Sequence, residues 1–236
     1  LIVATNTATH LGHIEASVER EIPCLVEKPL VTSDAEIERL QALSKSTSVL
    51  IMPAHQVLYA TGIESVRYEN SSGSVAVSYT QNTTKGSSDA LRTWTREPLF
   101  QTLYHALVIV GSSTGGGIAQ VTSARCHGEV SPERIELELY YRTGTASIIL
   151  DYTATQNQQV VDVRTEQGKT IVWKRRGADV TITRDGQETT PERRGGEIAV
   201  MLSVFRDAII GRPVPYLPTA TEAIETIRTA RAAVAA

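Results

Sequence analysis

The fold is decided by the stretch Pro23-Cys24-Leu25-Val26-Glu27-Lys28-Pro29. It begins with a short apolar run, which is typical of a strand covered on both faces in a parallel sheet. Pro29 cannot continue a central strand, because it has no N–H to donate to a neighbouring strand. The strand therefore ends at Glu27 and Lys28, which places two charged side chains at the edge of the predicted sheet.

The segments on either side of this strand alternate between strands and helices. Apolar runs at 1–5 and 49–52 predict two further buried strands. The segment 9–19 has helical apolar spacing, with Thr9 in the N-cap position. A second helix is predicted after Ser33, because Ser33 and Glu36 have the spacing of a capping box. This order of elements predicts a parallel α/β domain with right-handed crossovers.

The pattern changes near Tyr68, beyond which apolar and polar residues alternate with the period of a half-buried strand. Glycines separate these strands as turns. The predicted strands are 74–80, 133–142, 146–152, 159–165, 170–174 and 179–183. Helical spacing follows at 196–210, which ends at Gly211 and Pro213, and again at 219–235.

Together these patterns predict an α/β plus α+β fold. Residues 1–60 are expected to form the C-terminal half of a Rossmann-like parallel domain. Residues 61–236 are expected to form an open, mostly antiparallel sheet domain with helices on one face, its final helix able to pack back on the first domain. Because the chain begins with Leu1 inside an apolar run, we expect it to be part of a longer protein, truncated at its N-terminus.

Composition excludes several classes of function. The net charge of −3 gives no electrostatic case for binding nucleic acid or an anionic membrane. No apolar run is long enough to cross a bilayer, and the first residues do not resemble a secretion signal. Cys24 and Cys126 lie far apart, without metal-ligand spacing, so we expect free thiols, no metal and a cytoplasmic protein.

Polar segments follow each of the predicted parallel strands, at 6–10, at 27–29 and at 55–56. Ligands of open parallel sheets bind beyond the carboxyl ends of the strands, where these three segments are expected to meet. Lys28 is the strongest candidate among them, since an ammonium group can stabilise charge developing on a hydroxyl oxygen or share in proton transfer. A solvated lysine in a turn is the competing interpretation.

A second candidate, His105, lies in a segment with helical apolar spacing at 100–107. A histidine facing a cleft can accept a proton at neutral pH. The competing interpretation is a packed histidine that is hydrogen-bonded to the backbone. The glycine run at 115–117 is not a dinucleotide-binding loop, because it follows a helix rather than a strand and has the wrong spacing.

Taken together, these segments resemble the glucose-fructose oxidoreductase and inositol dehydrogenase family, known as Gfo/Idh/MocA. Leu25-Val26-Glu27-Lys28-Pro29-Leu30 matches the Glu-Lys-Pro motif of the family, one helix after a segment at 3–10 that resembles its fourth-strand loop. Pro53-Ala54-His55-Gln56 resembles the end of its sixth strand, and 99–108 resembles the helix that carries its catalytic histidine. Residues 205–218 and the last helix resemble its closing pattern.

The resemblance implies an oxidoreductase that uses NAD or NADP to oxidise a secondary hydroxyl of a sugar, sugar derivative or polyol. Lys28 would act at the substrate hydroxyl and His105 would accept the proton, with Gln101 one helical turn before it. The resemblance further implies a homo-oligomer formed through the sheet of the second domain. The residues expected to border the cofactor are Thr5, Asn6, His10, Glu27, Lys28 and Pro29, and those expected to contact the substrate are Lys28, His55, Gln101 and His105.

Two departures from the family pattern keep other functions open. The glycine-rich Gly-x-Gly-x-x-Gly turn is absent from the 236 residues, so the fragment alone is expected to be inactive. Gln101 stands where the family commonly has Asp, and glutamine carries no charge. The alternatives are a non-catalytic member that binds a sugar-like ligand or a protein partner, and an interaction domain that pairs through its sheet.

Overall fold

The computed structural model describes residues 1–68, 73–84, 97–128, 133–193 and 195–236. The chain divides into two compact units, one made of Leu1–Ala60 and Arg194–Ile227, the other of Thr61–Arg193 and Arg228–Ala236. The sequence assigned all of 61–236 to the second domain, whereas 194–227 groups with the first unit. Residues 194–227 group with the first unit because their first helix packs on residues 56–59. In addition, the Tyr59 hydroxyl donates to the Tyr216 carbonyl oxygen at 3.4 Å.

The first unit contains the predicted parallel sheet. Its strands are β1 (Ile2–Val3), β2 (Cys24–Val26) and β3 (Ile51–Pro53), in that spatial order and all parallel. Its helices include α1 (His10–Glu19) and α2 (Asp34–Ser46). Val3 and all three residues of β2 are buried, as the apolar runs predicted. The strands are shorter than predicted, because only two or three residues of each run pair with a neighbour.

The two predicted helix caps have different outcomes. The capping box of α2 is confirmed: Ser33 Oγ accepts from the Glu36 N–H at 3.3 Å, and Glu36 Oε2 accepts from the Ser33 N–H at 2.9 Å. The hydrogen bonds that the Glu36 carboxylate accepts from the Ser33 backbone N–H and hydroxyl lower its pKa. Thr9 stands at the N-cap position of α1, but its side chain makes no cap bond. Its hydroxyl donates instead to the Asn6 carbonyl oxygen at 2.9 Å.

The second unit is built on a sheet of eight strands within the described residues. They are β4 (Val75–Thr84), β5 (Gln120–His127), β6 (Arg134–Tyr141), β7 (Gly144–Ala154), β8 (Gln158–Thr165), β9 (Thr170–Arg176), β10 (Asp179–Arg184) and β11 (Gln187–Thr189). Their order is β11-β10-β9-β8-β4-β7-β6-β5, and only the β4–β7 pair is parallel. The prediction of an open, mostly antiparallel sheet is confirmed, although it missed β5 and β11.

Helices complete both units. The second unit contains α3 (Glu97–Ser113), which packs on β4 and β7. The first unit contains α4 (Glu197–Ile209), which lies within one residue of the predicted helix at both ends. The last helix is α5 (Ala220–Ala235), where Thr219 Oγ1 accepts from the Glu222 N–H at 3.2 Å and Glu222 Oε2 accepts from the Thr219 N–H at 2.7 Å.

The two faces of the eight-stranded sheet differ in polarity. We call the buried face, against which α3 packs, the inner face; it includes Val77, Tyr79 and Val163. Strand alternation places small and charged polar side chains such as Ser78 and Asp162 on the outer face, where they are more exposed. The apolar side of the sheet is therefore covered within the unit.

Gly144 starts β7 at a point where no side chain fits. A Cβ atom built there would lie 1.9 Å from the Val75 carbonyl oxygen. We expect Gly144→Ala to lower the free energy of unfolding by about 1–3 kcal/mol, because the backbone of β4 or β7 must shift. Gly111→Ala in α3 is the matched control, since a Cβ there meets nothing within 4 Å and alanine favours the helix. Denaturant unfolding that ranks both variants equally would contradict this account.

Candidate functional site

The ends of the three parallel strands meet at one edge of the first unit. The Glu27 N–H donates to the Val3 carbonyl oxygen and the Ala54 N–H donates to the Val26 carbonyl oxygen, at 2.9 and 2.8 Å. These bonds hold the loops after β1, β2 and β3 side by side. The edge therefore brings together Thr5, Asn6, Glu27 and Lys28 in the arrangement that the strand order predicted.

Lys28 lies two residues after the end of β2 and is half-buried. Burial lowers the pKa of its ammonium group, and the neighbouring Glu27 carboxylate partly opposes that change. Glu27 Oε2 also accepts a hydrogen bond from the Lys28 backbone N–H at 3.1 Å. The peptide bond between Lys28 and Pro29 is cis. An amine with a lowered pKa is closer to the condition in which it can exchange a proton near neutral pH.

The loop after β1 is exposed and internally hydrogen-bonded. Asn6 Oδ1 accepts from the Ala8 N–H at 3.0 Å and so caps the short 3-10 turn Thr7–Thr9. The hydroxyl groups of Thr5 and Thr9 lie 2.8 Å apart. These bonds hold the loop in shape while Thr5 and Asn6 remain exposed to solvent. The loop thus presents hydroxyl and amide groups beside Lys28.

His10 lies beneath these loops rather than on their surface, with only 1% of its area exposed. Its Nδ1 lies 3.0 Å from the Pro29 carbonyl oxygen and its Nε2 lies 3.1 Å from the Thr5 carbonyl oxygen. Carbonyl oxygens only accept hydrogen bonds, and a neutral imidazole donates from one nitrogen. A neutral ring therefore donates to one of these two carbonyl oxygens. His10 links the loop after β1 to the loop after β2, so it positions the residues around Lys28.

We expect His10→Phe to lower the free energy of unfolding by about 1–3 kcal/mol, because the loops after β1 and β2 lose the buried imidazole that lies within hydrogen-bond distance of both. His13→Phe is the matched control, since His13 is exposed on the same helix. Urea unfolding of both variants measures the difference. Equal midpoints for the two variants would show that His10 does not hold the loops together.

His55 follows β3 and is buried, with 2% of its area exposed. Its backbone N–H donates to the Pro53 carbonyl oxygen at 2.8 Å, and its own carbonyl accepts from the Leu58 N–H at 3.0 Å. These bonds lead from β3 into the 3-10 turn Gln56–Tyr59. The structure thus places His55 at the predicted edge of the sheet, and its contact with substrate stays a prediction.

In the second unit, His105 lies on α3 with a half-buried side chain whose Nδ1 is enclosed. Thr102 lies three residues earlier on the same helix, and its side chain is hydrogen-bonded to Tyr152 on β7. Burial raises the pKa of the Tyr152 hydroxyl. The backbone of Gln101 is part of α3, but its side chain lies outside the described residues. The pairing of Gln101 with His105 stays a prediction.

Sequence reasoning missed one polar cluster, on the inner face of the sheet. The Tyr79 hydroxyl donates to Gln81 Oε1 at 2.8 Å, and Gln159 Nε2 donates to the Tyr79 hydroxyl at 3.3 Å. Tyr79 and Gln81 lie on β4, whereas Gln159 lies on β8. Alternation places Tyr79 and Gln81 on one face, but only the register between the strands brings Gln159 to them.

Metal-binding clusters and membrane-spanning helices are both absent from the described residues. No group of three or more His, Cys, Asp or Glu side chains in those parts of the chain is arranged to hold a metal ion. None of the helices in the same parts is both long and apolar enough to cross a membrane.

A parallel sheet with polar loops at the carboxyl ends of its strands is the arrangement of Rossmann-type dinucleotide-binding domains. Residues 1–55 match the family model described as an oxidoreductase family with an NAD-binding Rossmann fold. Through these residues the chain is similar to the Gfo/Idh/MocA oxidoreductases, the family that its sequence motifs resemble. No curated protein matches the sequence.

Solved structures of this class share the fold over nearly the whole chain. A UDP-N-acetylglucosamine 3-dehydrogenase from Acidithiobacillus ferrooxidans has a TM-score of 0.76 at 15% identity, over 99% of this chain and 77% of its own. An oxidoreductase from Agrobacterium radiobacter, in complex with NAD⁺, L-tartaric acid and magnesium, has a TM-score of 0.73 at 12% identity, over 99% and 77%. An oxidoreductase from Thermotoga maritima has a TM-score of 0.73 at 12% identity, over 98% and 75%.

The residues at the edge of the parallel sheet fit part of a dinucleotide. Exposed Thr5 and Asn6 offer a hydroxyl and an amide, while Glu27 and Lys28 are half-buried beside them. These groups suit the nicotinamide and its ribose. Pyrophosphate is normally held by backbone N–H groups of a glycine-rich turn at a helix N-terminus. The 236 residues contain no Gly-x-Gly-x-x-Gly sequence to form that turn.

Proposed function

We propose that this protein is an NAD(P)-dependent dehydrogenase that acts on a secondary hydroxyl of a sugar, sugar derivative or polyol. The observation that carries the proposal is Lys28, half-buried at the end of β2 with its pKa lowered. The family match supports an NAD-binding oxidoreductase. One structural neighbour is a UDP-N-acetylglucosamine 3-dehydrogenase, and another was solved with NAD⁺ and L-tartaric acid.

The residues at the edge of the parallel sheet each have a role in this proposal. When bound, the nicotinamide supplies the hydride acceptor for oxidation of the carbinol carbon. Thr5, Asn6, Glu27 and Pro29 border the cofactor, and His55 contacts the substrate. His10 acts beneath them by holding the loops after β1 and β2 at a fixed spacing. Because its ring is buried, its place in cofactor binding is one of positioning.

Lys28 and His105 are proposed to manage the proton of the substrate hydroxyl. The Lys28 ammonium would stabilise negative charge on that oxygen, and the neutral His105 ring would accept the proton. Gln101, one helical turn before His105, would hold a hydrogen bond but no charge. A pair that splits these tasks would let one group polarise the oxygen while the other removes its proton.

The proposal is tested by a substrate screen with the full-length gene product. Sugars, sugar acids and polyols are supplied with NAD⁺ and separately with NADP⁺, and the absorbance of the reduced nicotinamide is followed. We expect turnover with at least one polyhydroxylated substrate and one of the two cofactors. Absence of turnover, together with ligand binding, would favour the non-catalytic alternative that the uncharged Gln101 suggests.

We further propose a cytoplasmic homo-oligomer that forms through the eight-stranded sheet. The apolar side of this sheet is the inner face, which the unit itself buries. A contact between copies through the sheet would therefore use the outer face. Tyr140, 55% exposed, is an aromatic side chain on that face. Such a contact would be largely polar.

A further inference from the structure

The inner face of the eight-stranded sheet changes from apolar to polar along strands β4, β8 and β9. Two successive rows across β4, β8 and β9 are apolar or aromatic; they are Val77, Val163 and Ile171, then Tyr79, Val161 and Trp173. The next row consists of Gln81, Gln159 and Arg175. We call these three residues the inner polar row. Their side chains are half-buried, whereas Tyr79, Val161 and Trp173 are at most 1% exposed.

Placing two amides and a guanidinium group on a partly buried sheet face costs free energy unless their polar atoms form hydrogen bonds. Among the described residues, the two amides form hydrogen bonds through Gln81 Oε1 and Gln159 Nε2, with the Tyr79 hydroxyl between them. The amino group of Gln81 and the Oε1 atom of Gln159 remain for other partners. A donor and an acceptor held side by side match the neighbouring hydroxyls of a polyhydroxylated ligand.

Tyr79 keeps these amides in place. It is fully buried, and burial raises the pKa of its hydroxyl, so the group remains a neutral donor at physiological pH. Because the hydroxyl both donates to Gln81 and accepts from Gln159, the two amides are oriented before any ligand arrives. Groups oriented in advance lose less conformational freedom on binding.

Arg175 adds a positive charge to this row. It pairs with Gln159 in the register of β8 and β9, and its charge acts on the Tyr79 hydroxyl. Its Nε donates to the Gly177 carbonyl oxygen at 3.2 Å, which orients the guanidinium plane. Guanidinium groups match carboxylate and phosphate oxygens in a paired geometry that lysine does not offer.

The inner face also connects the sheet to the helix that carries His105. Tyr152 on β7 lies on the same buried face as Tyr79 and is hydrogen-bonded to Thr102 on α3. Thr102 lies three residues before His105, so both side chains lie on neighbouring positions of one helix face. Polar groups thus extend from Arg175 on β9 to α3 inside one unit.

From this geometry we infer that the inner polar row binds the part of the substrate remote from the reacting hydroxyl, and that this part is polyhydroxylated and carries a carboxylate or phosphate. The inference rests on the proposed dehydrogenase and narrows its substrate class to anionic sugars. Gln81 and Gln159 bind hydroxyls, while Arg175 binds the anionic group. Neutral polyols would be held by the amides alone.

The same strands supply a matched control on the outer face. Arg176 and Gln158 lie one position away from Arg175 and Gln159, and Arg176 Nη2 donates to Gln158 Oε1 at 3.2 Å. The test compares Arg175→Gln and Gln159→Leu with Arg176→Gln and Gln158→Leu in the full-length protein. Affinity for D-glucuronate, D-glucose 6-phosphate and D-glucose is measured by calorimetry, with and without NAD⁺.

We expect Arg175→Gln to weaken binding of one or both anionic probes about 10–100-fold and to leave D-glucose unchanged. Gln159→Leu should weaken all probes that bind, by about 3–10-fold. The outer-face variants should bind as the parent protein does. Comparing the affinities for D-glucuronate and D-glucose 6-phosphate shows whether the site prefers a carboxylate or a phosphate.

Several results would overturn the inference: no binding of either anionic probe, equal losses in Arg176→Gln, or no loss in Arg175→Gln. Turnover of a neutral polyol that Arg175→Gln does not affect would also overturn it while leaving the dehydrogenase intact. If an anionic probe binds in an Arg175-dependent way but is not turned over with either cofactor, the inner polar row is a binding site and the proposed dehydrogenase activity is wrong. These outcomes distinguish a failure of the inference about the inner polar row from a failure of the proposed dehydrogenase activity.

Discussion

Lys28→Met is expected to lower kcat by about 10²–10⁴-fold, the range for loss of one positioned acid–base group. Methionine has nearly the length of lysine but neither its charge nor its proton, so the loops after β1 and β2 keep their packing. Cofactor affinity should therefore change little. Steady-state kinetics and a direct titration with the cofactor separate these two quantities.

The pH dependence of folding stability shows whether Lys28→Met affects chemistry or folding. Burial lowers the pKa of Lys28, so the folded protein binds a proton there less readily than the unfolded chain does. Between this lowered pKa and the ordinary lysine value, the stability of the native protein should rise with pH. Lys28→Met should abolish that rise and be no less stable at neutral pH. A loss of turnover in a stable variant then reflects chemistry rather than unfolding.

Lys45→Met is the matched comparison, because Lys45 is exposed in the last turn of α2 in the same unit. It should retain the turnover of the parent protein. Near-normal turnover in Lys28→Met would return Lys28 to the competing interpretation of a solvated lysine in a turn.

The parts of the fold that local sequence pattern determines were predicted well. The capping box at Ser33 and Glu36 and the buried run Cys24–Val26 each depend on residues close together in sequence. The two missed strands had no such pattern. β11 is exposed at all three residues, and β5 has only partly covered side chains, so neither shows the alternation of a half-buried strand.

The candidate site likewise contains residues that local sequence predicts and contacts that it does not. Lys28 could be found because a charged pair and a proline directly follow an apolar strand. The bonds of His10 to the Thr5 and Pro29 carbonyl oxygens could not, since they depend on how two loops meet. The inner polar row depends on the register of β4, β8 and β9, which places Gln81 opposite Gln159 across 78 residues. Pairing between distant strands is not encoded in any one segment.

His105→Ala is expected to lower kcat by about 10²–10⁴-fold, because the proton of the substrate hydroxyl loses its acceptor. Gln101 and His105 lie four residues apart along the backbone of α3. A carboxylate introduced at this position would favour the imidazolium and raise the pKa of the ring.

Gln101→Asp is therefore expected to shift the acidic limb of the kcat/KM profile to higher pH. During oxidation the neutral ring must accept the proton, so activity falls at low pH as His105 becomes protonated, and a higher pKa moves this fall upward. The carboxylate can also orient the ring and stabilise the imidazolium that forms, which would raise the plateau rate. The measurement is the pH–rate profile of the parent protein, of Gln101→Asp and of the double variant with His105→Ala. If the limb does not move and His105→Ala remains active, His105 is a packed helix residue and the proton leaves by another group.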